Sequence, residues 1–146
     1  MVSKTWALPK ILPYILAWAE SAAPLSGEDV DRGYNQIMAM RRETVAATLP
    51  YDFVISLTAP MVAFPAEDPS PSNNPLDPFT HIGFTLPFSV SEQPAASINC
   101  GYSAEGLPIG MQIIGRRFDD VGVLGFARAF EEMRKGDARP WPEPPR

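Results

Sequence analysis

An α/β fold, with a sheet covered by helices, follows from three features of this 146-residue chain. Phe53-Val-Ile-Ser-Leu57 is a short, continuous apolar run of mostly branched residues, a pattern that suits a strand covered on both faces. Ala95–Cys100 and Ile109–Ile114 are two more apolar runs, and the segment between them carries turn glycines at Gly101 and Gly106. Around these runs lie stretches whose apolar residues recur at helical spacing.

Taken in order, Ile11, Leu12, Ile15, Leu16 and Ala19 predict a short helix over 10–21, with Pro9 and Pro13 tolerable only before it or in its first turn. Ser26-Gly-Glu-Asp29 is a helix-start signal, because the Ser26 hydroxyl can accept from an orphan backbone amide. The helix it opens carries the stripe Val30, Tyr34, Ile37, Met38, Arg41, Val45 and Leu49 and stops before Pro50. Phe53–Leu57 follows as a strand. Eight prolines between Pro60 and Pro94 leave no periodicity, so a Pro-rich loop is expected over about 60–94, either a flexible insertion or the wall of a pocket.

The runs 95–100 and 109–114 then read as two buried strands joined by a tight antiparallel connection. Asp119 and Asp120 supply negative charge at the start of a last helix, with Val123, Leu124, Ala127, Phe130 and Met133 facing the sheet and Arg134-Lys-Gly136 as a basic last turn and glycine stop. Residues 1–134 therefore read as one unit, followed by a Pro-rich tail at 135–146.

Composition narrows the function. Apolar residues at 45% and charged residues at 20% are an ordinary globular balance. A net charge of −5, with no basic cluster longer than a pair, speaks against nucleic acid as a partner. The apolar N-terminal stretch is interrupted by Pro9 and Pro13 and is too short for a membrane span, so no membrane role is expected. Cys100 is the single cysteine, which excludes an intrachain disulfide and fits a cytoplasmic chain.

Residue chemistry alone yields no catalytic constellation. His81 is the one histidine and has no spacing that ties it to a nucleophile. Cys100 reads as a small buried thiol. The acidic pairs Glu28/Asp29, Asp119/Asp120 and Glu131/Glu132 suit helix capping or a solvated helix face, so neither a metal site nor a cofactor is implied. Gly106-Leu-Pro-Ile-Gly110 feeds a strand, whereas a phosphate cradle feeds a helix.

Several segments nevertheless share one resemblance. Tyr51-Asp52 with the strand after it and Thr58-Ala-Pro60, then Pro87-Phe-Ser89, Gln93-Pro-Ala95, Cys100-Gly101, Gly106-Leu-Pro-Ile-Gly-Met-Gln-Ile-Ile-Gly115, Arg116-Arg-Phe-Asp119 and Phe130-Glu131 together resemble the C-terminal part of amidase-signature enzymes. The likeness covers about residues 26–134. It implies that residues 1–134 are an incomplete unit, a partial mixed sheet covered by helices from the C-terminal portion of an α/β fold, and it implies the hydrolysis of carboxamide C–N bonds, or transfer of the released ammonia, by a pair of serines and a lysine that reside upstream.

This chain has no Gly-Gly-Ser-Ser string, and its only lysines are Lys4, Lys10 and Lys135. The expectation is a chain with no catalytic residue of its own, inactive alone, whose Phe84, Leu86, Phe88 and Ser89 form substrate-pocket wall. An upstream amidase portion or a second copy of the chain is the expected partner, and a small-molecule amide is bound only by the complete enzyme. The alternative is a non-catalytic oligomerising or interaction module, or a chain that completes a split amidase.

Two positions depart from the family pattern: Ser89 stands where asparagine is usual and Glu92 where glycine is usual. Ile82 also replaces the acidic residue that holds the substrate's amino group in the tRNA-dependent amidotransferases of this family, which implies a general amide pocket rather than a glutamine-specific one.

Overall fold

The computed structural model describes residues 11–137. Lys4, Lys10 and the tail from 138 onward lie outside the described residues. The element order is α1 (Pro13–Ser21), α2 (Gly27–Thr48), β1 (Val54–Leu57), a 3-10 turn (Thr80–Ile82), α3 (Leu86–Ser91), β2 (Ala95–Tyr102), β3 (Pro108–Ile114) and α4 (Asp120–Met133), with a second 3-10 turn at Lys135–Asp137.

The strand order is β1-β3-β2, and every described pairing is antiparallel rather than mixed. β2 and β3 form the expected hairpin. Gly106 closes its turn at φ 85°, a left-handed conformation that glycine adopts without penalty. Within the hairpin, Asn99 pairs with Gly110 and Gly101 with Ile109, so Cys100 is the extra residue of a β-bulge.

The core lies between the sheet and α4. Met111 and Ile113 of β3 pack with Val123 and Ala127 of α4, and Phe53, Ala96, Ile98, Cys100, Phe126 and Phe130 close around them. Asp119 caps α4 by accepting from the Gly122 amide at 3.0 Å. Gly115 lies under the helix, where a Cβ would come within 2.6 Å of Val123 Cγ2.

Four local expectations are corrected. β1 is not covered on both faces: it is an edge strand, and Ile55 and Leu57 stay about half exposed because α4 packs mainly over β2 and β3. The stripe of α2 does not reach a core either; Val30, Tyr34, Ile37, Met38 and Leu49 are all exposed, and Arg41 leaves the stripe to pair with Glu92.

The segment 60–94 is not wholly irregular. It holds the turn at Thr80–Ile82 and helix α3, whose Pro87 falls in the first turn where proline removes no needed donor. It is also anchored on α1, through the Tyr14 hydroxyl donating to Ser70 at 2.8 Å and the Trp18 ring against Phe79 at 5.3 Å. Finally, α4 ends in the 3-10 turn at Lys135 rather than on a left-handed Gly136.

Candidate functional site

The sheet face turned away from α4 carries Ser56, Thr58, Ser97, Gly110 and Gln112, as the register requires: Ser56 and Ser97 both lie opposite Gln112, one on each side. Between this face and α3 lies an open cleft of about 340 Å³, lined among others by Thr58, Thr85, Phe88, Ser89, Ser97 and Gln112.

Across the cleft floor, Thr58 Oγ1 and Ser97 Oγ are hydrogen-bonded at 2.8 Å. Gly110 makes this possible. A Cβ there would sit 2.8 Å from Thr58 Oγ1 and 3.3 Å from Ser97 Oγ, in the space the pair occupies. The backbone amide of Thr58 donates to the Gly110 carbonyl at 2.9 Å, which fixes the distance between the strands at this point.

Gln112 is only 3% exposed. Its Nε2 donates to the Phe84 carbonyl at 2.6 Å and to the Leu57 carbonyl at 3.3 Å, tying the segment before α3 to the sheet. At the far end Gln93 performs a similar function: Nε2 donates to the Gly115 carbonyl at 3.0 Å and Oε1 accepts from the buried Ser91 hydroxyl at 2.8 Å. Two side-chain amides thus hold α3 in place along the sheet.

Of the four residues read as pocket wall, Phe88 and Ser89 line this cleft. Phe84 contributes its carbonyl to Gln112 while its ring stays partly exposed, and Leu86 opens α3 with a partly exposed side chain. Sequence reasoning passed over Thr58, Gln93, Ser97 and Gln112 as site residues. Gln112 was detectable as a polar residue inside an otherwise apolar strand; the Thr58–Ser97 pair, 39 residues apart, left no local signal.

Among the described residues, no arginine, lysine, histidine, aspartate or glutamate lines the cleft. His81 sits in the 3-10 turn against Phe64, its Nδ1 enclosed without a hydrogen-bond partner among the described residues. The two carboxyls held below their ordinary range lie elsewhere: Asp29, which accepts from the Ser26 hydroxyl and amide at the start of α2, and Glu105, beside the Ser103 hydroxyl in the hairpin turn. Among the described residues no three His, Cys, Asp or Glu side chains gather as a metal site, and no helix is long and apolar enough to cross a membrane.

Residues 10–124 match the family described as Amidase. The chain belongs to the amidase family. The glutamyl-tRNA(Gln) amidotransferase of Novosphingobium aromaticivorans has an A-type subunit that is 34% identical over 120 residues, which is 80% of this chain and 24% of that protein. Its counterpart in Caldanaerobacter subterraneus is 42% identical over 89 residues, 61% of this chain and 18% of its own length.

Among solved structures, a bacterial aryl acylamidase of the amidase-signature family superposes with a TM-score of 0.67 at 22% identity, over 82% of this chain and 26% of that one. The corresponding glutamyl-tRNA(Gln) amidotransferase chain of Thermotoga maritima superposes at 0.50 with 30% identity, over 75% and 29%. This amidase-family chain therefore spans less than a third of the length of each of these relatives. Every cleft-lining residue falls within the matched segment.

Proposed function

We propose that the chain supplies the non-catalytic, cleft-forming part of an amidase-family hydrolase that cleaves carboxamide C–N bonds. The observation that carries this reading is that the segment matching the family, residues 10–124, is the one that builds the cleft.

Acyl transfer from an amide needs a nucleophile activated by an adjacent base. The cleft offers two hydroxyls, Thr58 and Ser97, that bond each other, with no lysine or histidine among the described residues lining it to take a proton. The reacting serines and lysine then come from polypeptide beyond this sequence. The test is to mix the chain with a separately expressed upstream portion of an amidase-signature enzyme and follow ammonia release from simple amides. Turnover restored by mixing, with neither part active alone, is the expected result. Turnover by this chain alone, or stoichiometric fluorophosphonate labelling of Ser97, overturns it.

A second reading, an oligomerising module that pairs with its own copy, is favoured by one observation. Val30, Tyr34, Ile37 and Met38 on α2 and Ile55 and Leu57 on β1 leave large apolar side chains exposed.

A further inference from the structure

We propose that the open edge of β1 pairs with β1 of a second copy of this chain, antiparallel across a two-fold axis at Ile55, so that two three-stranded sheets join into one of six strands. The proposal rests on the oligomerising reading above and supplies the interface for it.

The register determines which main-chain groups of β1 are free. The Thr58 amide donates to the carbonyl of Gly110, its neighbour across the ladder, at 2.9 Å. Hydrogen-bonded and non-bonded pairs alternate in an antiparallel ladder. Ser56 and Val54 therefore also bond β3, and the N–H and C=O groups of Ile55 and Leu57 point to the open side. The Leu57 carbonyl already accepts from the Ser56 hydroxyl at 3.1 Å and from Gln112 Nε2 at 3.3 Å. Ile55 keeps both its donor and its acceptor for another strand.

The opposite edge of the sheet is closed. By the same alternation Ala96 and Ile98 bond β3, and Ala95, Ser97 and Asn99 of β2 point outward. Pro94 stands directly before this strand, Arg134 Nη1 donates to the outward Asn99 carbonyl at 3.0 Å, and the bulge at Cys100 interrupts the ladder. Each of these features hinders pairing with a further strand. From Phe53 to Thr58, β1 has no proline, charged residue or bulge.

A second copy fits this edge because the edge is complementary to itself. In a two-fold antiparallel pair the residue on the axis meets its own counterpart, donor to acceptor in both directions, and Ile55 is the β1 residue with both groups free. In that register Val54 faces Ser56, Phe53 faces Leu57 and Asp52 faces Thr58 of the second copy, so no like charges oppose each other. Ile55 and Leu57 lie on the sheet face of Ile113 and Met111, and pairing extends that apolar row beside the core and away from the cleft. At 53% and 47% exposure, both side chains have apolar area to bury.

Amide hydrogen exchange and cysteine trapping, both on the full chain, test the interface. As the concentration of the parent chain rises, exchange of the Ile55 amide should slow at least about ten-fold while the outward Ser97 amide stays unchanged. On the axis the two Ile55 Cα atoms would stand about 5.5 Å apart, inside the disulfide range of about 4.4–6.8 Å. Ile55→Cys should therefore give a disulfide-linked dimer under a mild oxidant. Leu57→Cys, held roughly 14 Å from its counterpart by four residues of strand rise, should give at least about ten-fold less, with Cys100 present in both variants. A dimer in which Leu57→Cys links as fast as Ile55→Cys, or in which Ser97 is the protected amide, overturns this interface and leaves the oligomerising reading. A parent chain that stays monomeric at every concentration removes both. Protection of Ile55 only after an upstream amidase portion is added assigns the edge to that portion and likewise overturns the proposal.

Discussion

Arg41 on α2 donates two hydrogen bonds, at 2.9 and 2.8 Å, to the carboxylate of Glu92, the residue that terminates α3. Arg117, after β3, pairs with the same carboxylate. Glu92 holds a left-handed conformation, φ 58° and ψ 36°, which a glycine adopts without penalty. The strain of a side chain in that conformation, about 1 kcal/mol, is offset by a carboxylate that ties α2, α3 and the segment after β3 together.

Replacing Glu92 separates these two terms. Glu92→Ala keeps the strain and loses the ion pairs, a cost of about 1 kcal/mol for such partly exposed partners. Glu92→Gly loses the ion pairs but relieves the strain, so its stability should stay near that of the parent. Urea midpoints at low and high salt check this, with the parent's advantage over the alanine variant shrinking as salt screens the pairs. Equal destabilisation by both substitutions would remove the role assigned to the left-handed turn.

Ile113 and Ile55 face each other across β3 and β1, and their burial differs sharply: Ile113 is fully enclosed and Ile55 is 53% exposed. Ile113→Ala should cost about 2–5 kcal/mol and unfold much of a chain whose core is this small, whereas Ile55→Ala should cost less than about 1 kcal/mol. Thermal melts of the two variants, run side by side, decide it. A comparable loss at Ile55 would mean that something covers the β1 edge in solution.

That contrast also marks where the sequence could be read. The start of α2 was legible because Ser26 and Asp29 cap each other three residues apart, and the hairpin was legible because Gly106 meets a local turn requirement. The same run of residues at 53–57 gave the strand but not its place at the sheet edge, since strand order depends on partners about 55 residues away. Helix α3 escaped notice because six residues containing Pro87 show no period, and it is held instead by Gln93 and by Gln112 beyond it. In the cleft, Phe88 and Ser89 belong to one local motif, while Thr58, Ser97 and Gln112 meet only through strand pairing, which no local pattern displays.

At Gly110 the cleft floor depends on the absence of a side chain. Gly110→Ala places a Cβ 2.8 Å from Thr58 Oγ1 and 3.1 Å from Thr58 Cβ, so the hydroxyl pair must separate and the end of β1 must shift. The expected cost is about 1–3 kcal/mol, with amide chemical-shift changes centred on Thr58 and Ser97. An unchanged spectrum at those two residues would show that the pair has room to spare.

At the start of α2 the Asp29 carboxylate accepts from both the amide and the hydroxyl of Ser26, at 2.9 and 2.6 Å, and these bonds hold its pKa below the ordinary aspartate range. A carboxyl whose folded pKa is depressed stabilises the fold above its unfolded value, about 3.9, and that contribution disappears as pH falls through the folded value. Carboxyl-carbon titration by NMR should therefore place Asp29 below the ordinary aspartate range, with the amides of the first turn of α2 losing protection over the same acid range. Ser26→Ala removes the hydroxyl bond and should raise the Asp29 midpoint.

Light scattering tests whether the uncovered apolar surface matters. Val30, Ile37 and Met38 on α2 and Ile55 and Leu57 on β1 are each between 46% and 53% exposed, and apolar area left in water costs about 25 cal/mol per Å². β1 adds an open strand edge with no proline or lysine to block pairing with another strand. At micromolar concentration the purified chain should elute and scatter as more than a monomer, and Ile55→Lys should shift it towards the monomer by placing a charge on that edge. A parent chain that remains monomeric and monodisperse would show that this surface is tolerated in water, and the oligomerising reading would then lose its support.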